Sequence, residues 1–162
     1  MNYMTITHED MLNGYGLREV LWVAGCEHHC PECHNPETWC KDAGSKFDAA
    51  AEKELFEHLD NDFIDGVTFS GGDPLAIYNV DDVTKLCKKI RKKFPHKSIW
   101  CYTGYSYEDV KDLEIMKYLD VLVDGEFIKA RYSPNLMWKG SDNQRVINIK
   151  KTRASGEIVL EA

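Results

Sequence analysis

Three cysteines fall on eight residues in the run Cys26-Glu-His-His-Cys30-Pro-Glu-Cys33, a C-x3-C-x2-C spacing. Thiolates are soft anionic donors, and three on so short a segment can wrap one face of a metal cluster. A 4Fe–4S cube usually takes four cysteines. With three, one iron keeps an open position that a small molecule can bind directly, as a catalytic zinc does. The same residues also read as a structural zinc knot, with Cys40 or one of His28, His29 and His34 as the fourth ligand. Spacing alone leaves both readings open. Cys40 reads more simply as an unligated thiol. Cys87 falls on an apolar helix face and Cys101 inside a strand, so both read as small core residues.

The elements that must position this loop follow from apolar periodicity. Leu17 to Ala24 is a short apolar run that reads as a buried strand ending at Gly25, one residue before the first clustered cysteine. Cys26 to Gly44 has no periodic pattern and reads as a loop. Phe47, Ala51, Leu55 and Leu59 recur at helical spacing. Ile64 to Ser70 is a second strand, running into Gly71-Gly72-Asp73-Pro74. A second helix carries Val80, Val83, Cys87, Ile90 and Phe94, and Ser98 to Tyr102 is a third strand leading to Thr103-Gly104. A third helix carries Val110, Leu113 and Met116. Leu119 to Val123 is a fourth strand ending at Asp124-Gly125, and Arg145 to Ile149 is a fifth.

Strands alternating with helices predict right-handed crossovers, a mainly parallel sheet and a single domain over residues 1–162. The first strand is followed by cysteines where a dinucleotide fold would carry glycines. A complete eight-fold barrel typically takes about 250 residues, more than the 162 here. The expected fold class is therefore α/β, a partial (β/α) barrel with a mainly parallel sheet, open on one side. Cys26, Gly71, Thr103 and Asp124 all lie just past strand C-terminal ends, the edge where such sheets place ligands.

Bulk properties exclude other classes. The net charge of -7 gives no general field for nucleic acid. No run of 18 apolar residues and no N-terminal signal pattern is present, so a cytoplasmic, membrane-free protein is expected. The six cysteines then read as ligands or core residues, not disulfides. The basic run from Lys85 to Lys93 reads as a solvated helix face, with a docking patch for an acidic partner as the alternative.

The C-x3-C-x2-C run resembles the signature of the radical S-adenosylmethionine superfamily, and His34-Asn35-Pro36-Glu37-Thr38-Trp39 is similar to its glycyl-radical activating enzymes. Ser70-Gly71-Gly72-Asp73-Pro74-Leu75 looks like their glycine-rich cofactor motif. Four further blocks resemble the subgroup that activates anaerobic ribonucleotide reductase: Asn13 to Arg18, Tyr102 to Tyr105, Val123 to Phe127, and Gly140 to Arg145. Tyr15 departs from the proline expected there. The resemblance runs through nearly the whole chain.

It implies that Cys26, Cys30 and Cys33 hold a 4Fe–4S cluster whose free iron is chelated by S-adenosylmethionine. Glu32, Cys33 and His34 would border the adenine, and the N–H and C=O groups of Gly71 and Gly72, with Asp73, would read the methionine end. Thr103 and Asp124 would contact the ribose or a cation, with a turn or cap role as the alternative for each. Asn143, Gln144 and Arg145 could line the same edge. The implied reaction is reductive cleavage of S-adenosylmethionine to methionine and a 5′-deoxyadenosyl radical, which takes hydrogen from a glycine of the partner reductase. No side-chain acid or base is needed. The electron would come from a one-electron donor such as flavodoxin or ferredoxin.

Overall fold

A computed structural model describes residues 1–161. Its centre is a seven-stranded sheet built from β1 (Asn2–Asp10), β2 (Arg18–Val23), β3 (Ser45–Lys46), β4 (Gly66–Gly71), β5 (Ser98–Tyr102), β6 (Val121–Asp124) and β7 (Arg145–Asn148), in the spatial order β3-β1-β2-β4-β5-β6-β7. Four helices accompany it: α1 (Ala49–Leu59), α2 (Val80–Lys93), α3 (Tyr107–Val110) and α4 (Ile149–Ser155). No helix among the described residues is long and apolar enough to cross a membrane.

This corrects the expected fold class. The pairings β2·β4, β4·β5 and β5·β6 are parallel, but β1·β2, β1·β3 and β6·β7 are antiparallel. The sheet is therefore mixed, not mainly parallel, and it does not close: β3 and β7 are its two edges. Only α1 and α2 exceed seven residues, too few for a barrel built from strand–helix pairs. The physical reason lies in the connections. β1 and β2 are joined by the loop 11–17 and β6 and β7 by a segment without an α-helix, and antiparallel neighbours need no crossover helix. The third helix is also corrected. Leu113 takes an extended conformation (ψ 142°), so one turn of α-helix and a 3-10 turn bury Val110, Ile115 and Met116 separately.

The two sheet faces have different roles. Leu21, Val23, Val67, Phe69, Ile99, Cys101, Leu122 and Ile147 join Leu55, Leu59, Val83, Cys87 and Ile90 of α1 and α2 in the main core. Asp48 caps α1 by accepting from the Ala51 N–H at 2.9 Å. The alternate strand residues point to the other face, where Trp100, Val121, Val123 and Val146 form a smaller cluster with Tyr102 and Trp138. Arg18 is fully buried on this side. Its guanidinium donates to Thr68 Oγ1, Ser98 Oγ and the carbonyls of Tyr15, Val67 and Ser98 at 2.8–3.0 Å and lies 5.3 Å from the centre of the Trp100 ring. Burial pushes its pKa down to about 10, still cationic at neutral pH.

Candidate functional site

A cavity of about 480 Å³ opens on the face away from α1 and α2, at the C-terminal ends of β2, β4 and β5. Its wall includes Cys26, Cys30, Cys33, His34, Gly71, Gly72, Asp73 and Thr103, so residues from three separate connections meet in one place. Its size falls within the range of small-molecule sites. Trp22, Tyr102, Phe127, Tyr132 and Trp138 add aromatic surface. Tyr102 and Phe127 entered the sequence reading only as ends of a strand or resemblance block, and Trp22, Tyr132 and Trp138 not as site residues, because each reads locally as an ordinary core or loop aromatic.

The cysteine loop is bound at both ends to the chain around it. Gly25 N–H donates to the Thr38 carbonyl at 2.6 Å and Cys26 N–H to that of Trp39 at 3.1 Å, while Cys33 N–H closes a tight turn on the Cys30 carbonyl at 3.1 Å. His29 and Glu32 carry positive φ angles of 47° and 56°, a conformation rare for side-chain-bearing residues, which folds the loop back on itself. The His29 ring stacks on Trp39 at 4.5 Å, which turns it towards Trp39 rather than the thiols.

Burial raises the pKa of the Cys26 thiol and takes that of Cys30 up to about 11. Both stay neutral until a cation offsets the cost of the thiolates. Among the described residues, the one group of three potential ligand atoms within 4.8 Å of one another is His8, Glu19 and His58; the loop thiols are not such a group. Three thiols on one loop are soft donors of the kind an iron–sulfur cluster takes. Cys40 is exposed, and Cys87 and Cys101 are buried in the core.

Asp73 is the hub of the cavity floor and is almost fully buried. Its carboxylate accepts from the Leu75 N–H (2.9 Å), the Gly104 N–H (2.9 Å) and Thr103 Oγ1 (2.9 Å), and pairs with His28 Nε2 (2.7 Å). The hydrogen bond to Asp73 is the main reason the His28 pKa is raised. The His28 ring in turn lies so close over Gly104 that a Cβ there would sit 2.6 Å from it. His28 thus ties the cysteine loop to the ends of β4 and β5. Its sequence reading had only been as a spare zinc ligand; no spacing signal connects residues 28 and 73.

Three expectations need correction. The glycines at 71 and 72 are required first by the protein's own backbone: a Cβ would meet Val23 O at 2.5 Å and Gly25 O at 2.3 Å respectively, and Gly71 has φ +102°. The N–H of Gly72 already donates to Val23 O at 2.9 Å and that of Asp73 to Gly25 O at 2.7 Å, so neither is free to read a ligand. Asp124 does not line the cavity. Its buried carboxylate accepts from the Tyr107 N–H at 2.7 Å and from Arg145, which also grips Glu108 at 2.8 Å. This internal triad raises the Arg145 pKa. Glu32 is exposed outside the cavity lining.

His34 stands at the rim, 4.6 Å from the Phe127 ring and 5.8 Å from that of Tyr132. Gln144 lines the cavity and holds Gly125 O at 2.9 Å, whereas Asn143 donates to Glu126 O at 2.8 Å. The basic run divides. Lys88 and Lys89 pair on the surface with Glu114 and Glu52, but Arg91 turns inward to the carbonyls of Tyr118 and Lys97 and to Asp120.

A thiol loop, a glycine turn and an aromatic-lined cavity at one sheet end define an iron–sulfur class of protein, and the family model described as "4Fe-4S single cluster domain" matches residues 12–147. Relatives narrow this. The chain is 44% identical over 146 residues to the anaerobic ribonucleoside-triphosphate reductase-activating protein of Enterobacteria phage T4, covering 90% of this chain and 93% of that one. It is 39% identical over 154 residues to the protein of the same name from Escherichia coli K12, covering 93% and 100%, and 38% identical to that of Haemophilus influenzae, covering 93% and 99%. The chain belongs to the family of anaerobic ribonucleoside-triphosphate reductase-activating proteins.

Proposed function

We propose that this chain activates an anaerobic ribonucleotide reductase by radical S-adenosylmethionine chemistry, with Cys26, Cys30 and Cys33 holding a 4Fe–4S cluster and the adjoining cavity holding S-adenosylmethionine. The observation that carries this reading is the meeting of three loop thiols and the Gly71–Asp73 turn in one cavity. When bound, the reduced cluster supplies the electron that splits S-adenosylmethionine into methionine and a 5′-deoxyadenosyl radical able to take hydrogen from a glycine of the reductase.

This chain's own residues bind and orient. Cys26, Cys30 and Cys33, once deprotonated, would hold the cluster, and three cysteines rather than four would leave one iron open to a small molecule. Asp73 and His28 hold the loop against β4 and β5, which limits drift of the thiols relative to the cavity floor. Gly71 and Gly72, which line the cavity, border the methionine end, and Thr103, whose hydroxyl is bound to Asp73, contributes shape there. His34, Phe127 and Tyr132 form an aromatic rim suited to an adenine ring. That rim and the tryptophans exclude water from a reactive species, which is the protein's main task when the cofactor supplies the bond breaking. The partner is a reductase subunit offering a glycine-bearing loop; a flavodoxin- or ferredoxin-type donor provides the electron, in the cytoplasm.

Anaerobic reconstitution with iron and sulfide, followed by a strong reductant and S-adenosylmethionine, should give 5′-deoxyadenosine. The low-temperature EPR signal of the reduced protein should change when S-adenosylmethionine is added. Replacing Cys26, Cys30 or Cys33 with Ala should abolish both, and Cys40→Ala neither. A loaded cluster that yields no 5′-deoxyadenosine with or without reductase would overturn the reading, as would a single zinc and no iron.

A further inference from the structure

A second set of ligand-type side chains lies at the opposite end of β2. His8 on β1, Glu19 on β2 and His58 in the last turn of α1 each offer one ligand atom, all within 4.8 Å of one another. Strand alternation puts His8 on the same face as Ile6, and Glu19 on the same face as Leu21, both beneath α1. Glu19 is fully buried. It is bound by His8 Nδ1 and, at 3.4 Å, by the Glu9 N–H. A carboxylate offers about four lone-pair positions, and burying one at a strand position flanked by apolar neighbours is costly unless a cation meets it.

The His8 and His58 rings stack 3.6 Å apart and 15° from parallel, so their nitrogen lone pairs lie in near-parallel planes and converge on one point only after the His58 ring turns. The far nitrogen of His8, Nε2, is bound to Glu54 Oε1 at 3.1 Å, and Glu54 shares a face of α1 with His58 at i,i+4. A carboxylate on the outer nitrogen of a histidine is the arrangement that fixes the tautomer of a metal-bound imidazole.

We propose that His8 Nδ1, the Glu19 carboxylate and a His58 ring nitrogen bind a divalent transition metal of the zinc class. Two imidazoles and one carboxylate suit zinc or its neighbours, not calcium or magnesium, which take oxygen ligands. Zinc–ligand bonds of about 2.0–2.2 Å place donors about 3.3 Å apart. Closing the present separation takes a side-chain rotation of His58, which is partly exposed. The metal displaces the proton shared by His8 and Glu19, while Glu54 retains the one on Nε2. Seven residues separate Glu19 from Cys26, about 23 Å along extended chain, so the site is separate from the thiol cavity. It would tie β1, β2 and α1 together.

Cobalt(II), titrated anaerobically into the full chain, is the probe, because its spectrum distinguishes nitrogen and oxygen ligands from sulfur. In the full chain with Cys26→Ala, Cys30→Ala and Cys33→Ala, whose loop offers no competing thiolate, one equivalent should give visible d–d bands without sulfur-to-cobalt charge transfer, and zinc should displace it. His58→Ala and Glu19→Gln should each weaken this binding at least tenfold. His58→Ala changes a partly exposed side chain, and circular dichroism reports whether the fold survives. Glu54→Gln should weaken it by about tenfold, because Glu54 holds His8 Nε2 and so keeps Nδ1 free for the metal. Cobalt bound only through sulfur, or His58→Ala binding the nitrogen/oxygen-ligated cobalt as tightly as the parent chain, would refute the site. Neither outcome depends on whether the cysteine loop carries a cluster.

Discussion

Asp73→Asn tests whether the cavity floor is held by one buried carboxylate. The substitution preserves shape but replaces one acceptor oxygen with an amide that can only donate. In the native protein Oδ1 receives the Leu75 N–H and Thr103 Oγ1, while Oδ2 faces the Gly104 N–H and His28 Nε2. If the amide takes the Oδ2 place, Gly104 N–H confronts a donor. If it flips, Leu75 N–H does. Either way one buried backbone donor is orphaned, at about 1–3 kcal/mol, and the remaining bonds lose their charge assistance, about another 1 kcal/mol. His28 can recover a neutral bond by switching tautomer, which limits the loss. The expected destabilisation is about 2–4 kcal/mol, read as a lower midpoint in urea with an unchanged m-value. Reconstituted iron should also fall, because the loop bearing the thiols loses its anchor. A change below about 0.5 kcal/mol, the range of an ordinary surface substitution, would refute the reasoning.

Gly72→Ala should cost about 1–3 kcal/mol, because its Cβ would lie 2.3 Å from Gly25 O; urea denaturation measures this, and iron retention should drop as the shift reaches neighbouring Cys26. Arg18→Met leaves the acceptors of five donated bonds unpartnered and should cost about 2–4 kcal/mol, with Arg18→Lys recovering only part because an ammonium has three donors. Asp120 gives a pH dependence. Burial opposes its charge, but Arg91, the Ile99 N–H and Lys150 outweigh this and hold its pKa below the usual value. Its stabilising contribution is therefore present above the unfolded pKa of about 3.9 and lost as pH falls through the lower folded value. Asp120→Asn should be about 1–2 kcal/mol less stable at pH 7, and the two stability curves should converge in acid; parallel curves down to pH 2 would contradict this.

Much of this protein was legible in one dimension. Ser98 to Tyr102 is strand β5 as read, the apolar run before Gly25 is β2, and Leu55, Leu59, Val83, Cys87 and Ile90 pack as their helical spacing indicates. These signals are local: burial of one face imposes a period, and a period can be read without knowing what covers it. The cysteine spacing, too, is a local fact, since eight residues are enough to bring three thiols to one loop.

Tertiary structure decided the rest. Pairing direction depends on how a strand returns, so β7, legible as a strand from Arg145, gave no sign that it runs antiparallel, and β1, which buries only Ile6 fully, was not legible as a strand at all. Asp124 and Asp73 both follow strand ends in the sequence. One is consumed by Arg145 and Glu108, and the other gathers His28, Thr103 and Gly104. Gly72 is held to glycine by Gly25, 47 residues away in the chain, and Glu19 meets His8 and His58 only because β1, β2 and α1 pack together. A hydrogen-bond partner or a steric neighbour is a property of three-dimensional approach, and no spacing rule encodes which distant atoms a folded chain will bring within 3 Å.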